Sequence, residues 1–217
     1  MIKTVIFDLD GTLLDTLCDL HLAVNYALMT LGFSTRSKEE VRAFVGNGAA
    51  VLIARAAPAG CDEETRAKLL SLFHEYYEAH SLDHTEPYPG VIELLEELKR
   101  RGVACALVSN KPHYAVVELC ERFFGDQLFP VLGQSNRLPR KPAPDMLLEA
   151  LKTLQCTAED CVYVGDSEVD VQCAQNAGLS CICVTWGFRE KEQLQHAGAT
   201  LLCGDTQQLL HTLFGDQ

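Results

Sequence analysis

The chain has 217 residues, enough for one large domain or for a core with a smaller insert. Its net charge of −12 and pI near 4.9 exclude a general surface for nucleic acid or an anionic membrane, since both need excess positive charge. No apolar run approaches the length of a membrane span, and the N-terminus shows no signal-peptide pattern. We therefore expect a cytoplasmic protein that acts away from membranes.

Six apolar runs predict β-strands, and helical patterns lie between most of them. The predicted strands span residues 4–7, 103–108, 128–132, 161–164, 181–185 and 200–202. Strands that alternate with helices indicate a parallel sheet covered on both faces. The expected fold class is therefore α/β, with a Rossmann-like core.

One long segment breaks this alternation. From about residue 18 to about residue 82 only helical patterns occur, at 20–31, at 38–57 with a glycine-containing interruption, and at 63–77. We predict that residues 1–15 and 86–217 form the α/β core and that residues 16–85 form an inserted all-helical cap. An insert after the first strand would lie over the ligand crevice and could act as a lid. The alternative is two unrelated helices packed on the sheet edge.

The ten cysteines are predicted to be reduced and structural. They contain no Cys-x-x-Cys pair, and the seven histidines form no recognisable metal-ligand spacing with them. Cys105, Cys181 and Cys183 lie in strand-like runs, where a thiol behaves as a small apolar group.

The stretch Asp8-Leu9-Asp10-Gly11-Thr12 follows directly on the first strand. Because side chains alternate along a strand, Asp8 and Asp10 point the same way at the edge where open α/β sheets bind ligands. Gly11 permits a sharp turn, and Thr12 adds a hydroxyl. Two carboxylates repel each other unless a cation neutralises them, which favours a hard divalent metal, most simply Mg²⁺. Taken alone, the stretch also fits an ordinary turn.

Two further polar segments follow later strands. Ser109 and Asn110 come after the second strand, where Pro112 can begin a helix, and a hydroxyl with free N–H groups at a helix start can bind an anion. Lys141 lies in a Pro-Arg-Lys-Pro loop that is stiff enough to aim one ammonium group. The alternatives are a simple helix cap and a solvated lysine.

The fourth strand leads into Gly165-Asp166-Ser167. Asp166 would reach the crevice from this strand end, and Asp170 would lie one helical turn further on the same face. Helix capping by Asp166 or Ser167 is the alternative. Together with the earlier segments, these residues would supply a nucleophile, a metal site, a cation and an acid/base, which predicts phosphoryl transfer.

The four segments, in this order, resemble those of the haloacid dehalogenase superfamily, specifically its aspartate-nucleophile phosphatases with a helical cap. The resemblance implies that Asp8 is the nucleophile, forming an aspartyl-phosphate, and that Asp10 is the general acid/base. It implies a Mg²⁺ ion held by Asp8, the backbone carbonyl of Asp10, and Asp166. Asp170 would orient this metal shell.

The resemblance also implies how the phosphoryl group is held. Ser109 and the N–H of Asn110 would bind it, and Lys141 would neutralise its charge. Asp10 and Thr12 resemble the phosphatase form of the first motif, so a dehalogenase is not expected.

Within the superfamily, four segments resemble the group of phosphoglycolate phosphatases: residues 45–52, 109–111, 141–144 and 186–188. This resemblance implies a small phosphorylated metabolite, 2-phosphoglycolate, as the partner of a monomer or homodimer. Independently, Gly46, Asn47 and Gly48 offer bare N–H groups without a fixed cation, which suits a short carboxylate-bearing substrate. Arg55 could contribute, and the loop is also a turn between two helices.

Three other functions stay open from the sequence. The same site could serve a phosphatase or pyrophosphatase for another small phosphate compound, or a phosphomutase similar to β-phosphoglucomutase. The small loop at residues 46–48 argues against a mutase, which must grip a sugar in two orientations. A non-catalytic phospho-ligand-binding protein would be natural if Asp8 or Asp10 were missing, and both are present.

Overall fold

The computed structural model describes residues 2–135 and 137–215. Eight strands occur in this part of the chain. They are β1 (Thr4–Phe7), β2 (Leu14–Asp15), β3 (Glu86–Pro87), β4 (Ala104–Pro112), β5 (Val131–Gln134), β6 (Cys161–Gly165), β7 (Ser180–Val184) and β8 (Leu201–Cys203).

The helices alternate with the strands, except for four in succession after β2. They are α1 (Leu17–Thr30), α2 (Lys38–Phe44), α3 (Ala49–Ala56), α4 (Glu63–His80), α5 (Val91–Arg100), α6 (His113–Phe124), α7 (Asp145–Leu154), α8 (Glu168–Ala177), α9 (Lys191–His196) and α10 (Thr206–Phe214). None of these described helices is both long and apolar enough to cross a membrane.

Six strands form one parallel sheet in the order β5-β4-β1-β6-β7-β8. β1 lies at the centre, where Thr4 pairs with Ala104 on one side and with Cys161 on the other. The chain moves from β1 outwards through β4 and β5 and then returns to β6. This reversal opens a crevice at the carboxyl end of β1, which is the usual ligand position in such sheets.

Helices cover both faces of the sheet, which confirms the predicted α/β class. Val5 and Phe7 of β1 pack in one core with buried residues of α5, α6 and α10, such as Leu94. Ile6 faces the opposite side, in a second core with Leu147 of α7 and Cys173 of α8. A strand buried on both faces has a continuous apolar sequence, and this is why residues 4–7 are recognisable without alternation.

The helices α1 to α4 pack around a hydrophobic cluster of their own, with α1 against α4. Val24 and Phe73 lie inside this cluster, and Phe188 joins it from the loop after β7. The glycine-containing interruption predicted within residues 38–57 is the break between α2 and α3. The strand β2 precedes α1, and β3 follows α4. These two short strands pair with each other in antiparallel orientation.

Several element boundaries differ from the prediction. β5 was expected at residues 128–132 but begins at Val131, immediately after Pro130, which has no N–H to donate to a sheet. β4 was expected to end at residue 108 but extends to Pro112, because pairing with β5 resumes between Pro112 and Gln134 after an irregularity. The strands β2 and β3 were not predicted, since two residues show no periodicity.

Candidate active site

The carboxyl ends of β1, β4 and β6 surround one crevice, which α3 and α4 cover from the opposite side. The lining includes these predicted site residues: Asp8, Asp10, Gly46, Gly48, Ser109, Asn110, Lys141 and Asp166. Segments more than 150 residues apart in the chain therefore meet at one edge of the sheet, as the predicted strand ends require. Thr12 and Asn47 are not among the lining residues.

Asp8 lies at the end of β1 and is 8% exposed. Its Oδ1 accepts a hydrogen bond from the Leu9 N–H at 2.7 Å and forms an ion pair with Lys141 Nζ at 2.9 Å. Burial raises the pKa of Asp8 to about 7, although Lys141 opposes the shift, and the carboxylate of Asp170 adds to it. The carboxylate is thus held in a fixed orientation at the mouth of the sheet.

Lys141 is buried, which excludes the alternative of a solvated surface lysine. Its Nζ lies 2.8 Å from Asp170 Oδ1 and donates to the Tyr163 hydroxyl at 2.9 Å. Its backbone is fixed by the Asn110 side chain, which accepts from the Lys141 N–H at 2.8 Å and donates to the Lys141 carbonyl at 3.0 Å. Burial alone would lower the pKa of Lys141, but Asp170 and Asp8 outweigh it and raise the pKa.

Asp170 is fully buried and supports Lys141 from below the crevice. Its Oδ1 accepts from the Tyr163 hydroxyl at 2.7 Å, and its Oδ2 accepts from the Ser167 N–H and hydroxyl at 3.1 and 2.6 Å. Burial would raise the pKa of Asp170, but Lys141 and these hydrogen bonds hold the pKa below its usual value. Both oxygens are therefore engaged, so Asp170 is placed to orient its neighbours.

The carboxylates of Asp8, Asp166 and Asp170 converge, and one oxygen from each lies within 4.8 Å of the others. Burial raises the pKa of Asp166 well above its usual value, and the charges of Asp170 and Asp8 add to this shift. Lys141 supplies one positive charge against three buried carboxyl groups, so ionisation of all three would leave an excess negative charge, and the raised pKa values of Asp8 and Asp166 reflect this. An all-oxygen cluster with that excess fits a hard divalent cation such as Mg²⁺.

Asp10 turns its carboxylate away from this cluster. Lys111 Nζ lies 2.7 and 3.0 Å from its two oxygens, and the Thr16 hydroxyl donates to Oδ1 at 2.7 Å. Lys111 is buried, and it was not among the predicted site residues. Its spacing could have revealed it: Ser109 and Lys111 are two residues apart in an extended segment, which places them on one side.

The segment after residue 108 does not cap α6, because Pro112 occupies the N-cap position. The Ser109 hydroxyl is buried and accepts from the Lys111 N–H at 3.2 Å. The Thr12 hydroxyl is also buried, but no described residue is its hydrogen-bond partner. The Thr12 carbonyl accepts from Trp186 Nε1 at 3.0 Å, which ties this turn to the loop after β7.

The loop between α2 and α3 contacts the sheet edge directly, because the Gly46 carbonyl accepts from Asn110 Nδ2 at 3.1 Å. Gly46 and Gly48 have φ angles of +120° and +82°, a region that side chains disfavour. The Asn47 side chain instead accepts from Arg55 Nη2 at 3.0 Å. Arg55 also donates to the Phe44 carbonyl and is not among the lining residues of the crevice.

Arg189 lies beside this loop, where the sequence analysis expected no fixed cation. Its guanidinium donates to the Val45 carbonyl at 2.7 Å, to the Arg42 carbonyl at 3.1 Å, and to Glu168 at 2.7 Å. Arg189 therefore connects the loop after β7 to the helical segment. Nothing in the sequence distinguished it from a surface arginine.

Comparison with known proteins places this site in a family. A family model described as haloacid dehalogenase-like hydrolase matches residues 5–184. Phosphoglycolate phosphatase 1 of Pseudomonas aeruginosa is 37% identical over 215 residues, covering 96% of this chain and 78% of that protein. The phosphoglycolate phosphatase of Vibrio parahaemolyticus is 38% identical over 221 residues, covering 98% and 96% of the two chains. A crystal structure from Lactobacillus delbrueckii subsp. bulgaricus matches with a TM-score of 0.94 at 36% identity and 99% coverage of both chains.

The chain therefore belongs to the haloacid dehalogenase-like hydrolase family, as its motifs predicted. Within that family it is an enzyme of the phosphatase class, given its nearly full-length similarity to two phosphatases.

Proposed function

We propose that the protein is a Mg²⁺-dependent phosphomonoester hydrolase that acts through an aspartyl-phosphate on Asp8, with 2-phosphoglycolate as its substrate. The observation that carries the proposal is the setting of Asp8. It lies at the carboxyl end of the central strand, paired with Lys141 and next to two further buried carboxylates. Asp10 stands apart from that cluster, paired with Lys111, and is the proposed acid and base.

The proposed metal ligands are Asp8, Asp166 and the backbone carbonyl of Asp10, with Asp170 orienting the cluster through Lys141 and Ser167. Bound Mg²⁺ would offset the negative charge that builds up when a phosphate dianion approaches Asp8. The Phe188 N–H donates to Asp166 Oδ2 at 2.6 Å, which leaves the other oxygen of Asp166 to face the cluster. Second contacts of this kind orient metal-binding carboxylates.

In the proposed reaction, an oxygen of Asp8 attacks phosphorus, and the bond between phosphorus and the ester oxygen breaks. Asp10 gives its proton to the departing alkoxide. Asp10 then removes a proton from a water molecule, which attacks the phosphorus of the aspartyl-phosphate. Cleavage of the bond to Asp8 releases inorganic phosphate and restores both carboxyl groups. Lys111 and Thr16 hold Asp10 in place for these transfers.

The phosphoryl oxygens would be bound by the Ser109 hydroxyl, the Asn110 N–H and the Lys141 ammonium. All three groups are buried and held by neighbours before substrate arrives, and such preorganised donors stabilise developing charge most effectively. Thr12 and Asn47 were also predicted to bind substrate. Neither residue lines the crevice: Thr12 lies in the turn after β1, and Asn47 lies in the loop between α2 and α3.

Two observations support a small carboxylate-bearing substrate. Both curated relatives described above are named phosphoglycolate phosphatases. The internal volume of the crevice is about 50 Å³, which favours a small substrate. We further propose that residues 16–85 form a cap whose loop at 46–48 closes over such a substrate.

Phosphate release from a panel of small phosphomonoesters in the presence of Mg²⁺ tests the proposal. The panel includes 2-phosphoglycolate, pyrophosphate and a hexose phosphate, compared by kcat/KM. We expect 2-phosphoglycolate among the best substrates. Better turnover of most other compounds would reject the substrate and keep the phosphatase class, and conversion of the hexose phosphate to an isomer would indicate a mutase.

Replacing Asp8 by Asn tests the covalent step. The amide keeps the shape but is not a nucleophile, so we expect kcat to fall by about 10³-fold or more with the fold unchanged. Asp160→Asn is a suitable control, because Asp160 forms an ion pair with Lys3 far from the crevice. Phosphate release by Asp8→Asn within tenfold of the parent enzyme would contradict the covalent mechanism.

A further inference from the structure

Tyr77 of α4 presents a buried hydroxyl that the proposed chemistry does not use. The side chain lines the crevice and is 4% exposed, yet no described residue forms a hydrogen bond with its hydroxyl. The ring is held by stacking on Phe73, with centroids 5.5 Å apart and planes 5° from parallel. Buried hydroxyls nearly always have a partner, so an unpartnered one in a ligand crevice indicates a ligand group.

Lys111 lies directly beneath this ring. Its Nζ is 4.8 Å from the Tyr77 ring centroid, and its side chain is 3% exposed. The two described contacts with Asp10 use two of the three ammonium N–H groups. The third ammonium N–H of Lys111 lies beside the Tyr77 hydroxyl, and the two groups interact with each other.

The other Lys and Arg side chains that line the crevice serve other parts of it. Lys141 contacts Asp8, Asp170 and the Tyr163 hydroxyl, and Arg189 contacts Glu168 and two backbone carbonyls. Burial raises the pKa of Tyr77 to about 12 in spite of Lys111, so its hydroxyl stays a donor at neutral pH. The pair thus offers one cationic and one neutral donor to an acceptor that approaches between α4 and β4.

We propose that Tyr77 Oη and Lys111 Nζ form a binding subsite for the carboxylate of the substrate, on the side of Asp10 away from Asp8. This inference rests on the proposed function and names the residues that select its substrate. The placement suits the chemistry, because the alkoxide that Asp10 protonates belongs to the same fragment as the carboxylate. Because Tyr77 belongs to α4 and Lys111 belongs to β4, a carboxylate bound by both would also hold the helical segment against the sheet.

The subsite explains selectivity in physical terms. Much of the wall near Tyr77 is apolar, formed by side chains such as Leu52 and Phe73, and His74 lines it as well. An ester with a neutral group in place of the carboxylate would leave the Lys111 donor without an anion in a water-poor space. Sites that bury donors in this way discriminate strongly against substrates that lack the acceptor.

The experiment compares Tyr77→Phe with the parent enzyme, using the full-length protein with Mg²⁺. The readout is the ratio of kcat/KM for 2-phosphoglycolate to that for 2-hydroxyethyl phosphate, which carries a neutral alcohol instead of the carboxylate. We expect this ratio to fall about 10-fold or more, because a hydrogen bond to a charged group is lost. The matched control is Tyr76→Phe, since Tyr76 stacks on Tyr26 and His80 and does not line the crevice.

Lys111→Gln provides the second variant. It contacts Asp10, so turnover of both esters is expected to fall, and only the change in their ratio reports on the subsite. We expect the ratio to fall at least as far as in Tyr77→Phe. Circular dichroism and thermal unfolding confirm that each variant is folded.

The outcomes separate the two proposals. If the parent enzyme prefers 2-phosphoglycolate and both variants keep that preference within twofold, the proposed substrate stands and the subsite is overturned. If the parent enzyme has no preference for 2-phosphoglycolate, the proposed substrate fails, and a carboxylate subsite fails with it. A ratio that falls in both crevice variants but not in Tyr76→Phe supports the subsite.

Discussion

At the scale of single residues, Lys141 is the cation of a buried ionic cluster. Its ammonium is placed between the buried carboxylates of Asp8 and Asp170. Removing one member of a buried ionic cluster leaves uncompensated charge and typically costs about 3–5 kcal/mol. Lys141→Met should therefore lower the free energy of unfolding, measured without divalent metal by urea denaturation, by about that amount.

The control for this prediction is Lys152→Met. Lys152 has a side chain that is 78% exposed, and its pair with Glu149 at 3.5 Å lies on the surface. Exposed pairs contribute about 0–1 kcal/mol, so we expect a change of at most that size. A loss below about 1 kcal/mol for Lys141→Met would mean that the carboxylates are neutralised in another way.

Gly187 lies at a position that has no room for a side chain. A Cβ at this position would contact the Gly11 carbonyl and the carboxylate of Asp166. Gly187→Ala should displace Asp166 and also the backbone at Gly11, and disturbed metal shells typically lose about 10–100-fold in affinity. We expect the Mg²⁺ concentration for half-maximal activity to rise by about that factor.

Gly204→Ala is the matched control for Gly187→Ala. A Cβ at Gly204 would meet its nearest neighbour, Gln208, at an ordinary 3.5 Å. Its Mg²⁺ dependence should equal that of the parent enzyme. Equal Mg²⁺ dependence in Gly187→Ala as well would show that Asp166 tolerates the displacement or does not bind the metal.

At the scale of elements, the loop between α2 and α3 is the proposed link between helical segment and sheet. A Cβ at Gly48 would lie 3.0 Å from Gln134 Oε1 and 3.3 Å from the Asn110 carbonyl. Gly48→Val should therefore push the loop away from the crevice. We expect kcat/KM for 2-phosphoglycolate to fall by about 10²-fold, as if one or two charged hydrogen bonds were lost.

Two comparisons isolate this effect. Hydrolysis of an aryl phosphate, which does not use contacts to a carboxylate, should fall much less in Gly48→Val. Gly60→Val is the control variant, because Gly60 has a similar φ of +77° and no described residue lies within 4 Å of an added Cβ. Equal losses for both substrates, or for both variants, would mean that the loop acts only as a turn.

The elements of the core could be predicted because their patterns are local. Each of the six strands in the main sheet was expected within a few residues, and the buried face of α5 follows the spacing of its leucines. The pairing of β2 with β3 could not be predicted, because it depends on how two segments that are distant in sequence meet in the fold. The extension of β4 to Pro112 likewise depends on its neighbour β5.

The site shows the same division. Asp8, Asp10 and Asp166 were predictable because each follows a strand, and parallel strands bring their ends together. Tyr163 and Tyr77 read as ordinary apolar residues of a strand and a helix. Their roles near Asp170 and Lys111 depend on packing between elements, which a single sequence does not encode locally.

At the scale of the whole molecule, the site must bind an anion within a protein whose net charge is −12. The general field therefore does not attract a phosphate dianion, and attraction has to come from local groups. Lys111 and Lys141, both buried at the crevice, form ion pairs with Asp10 and Asp8, which offset most of their positive charge. A bound divalent cation would supply the missing positive charge.

This reasoning leads to a prediction about metal removal. Excess chelator should abolish phosphate release, Mg²⁺ should restore it, and Ca²⁺ should inhibit. Ca²⁺ accepts more ligands in less regular geometry, which would move Asp8 out of line with the leaving group. Activity assays with each ion after chelation and dialysis provide the measurement.

The same metal should stabilise the fold, because it would connect Asp8 after β1 with Asp166 after β6. A ligand at about 100 times its dissociation constant adds about 2.7 kcal/mol to the free energy of unfolding. For a chain of this length that corresponds to a rise in Tm of roughly 5–10 °C. Asp166→Asn should lose most of this Mg²⁺-dependent rise. Full activity in excess chelator, together with a Tm that does not respond to Mg²⁺, would remove the metal from the mechanism.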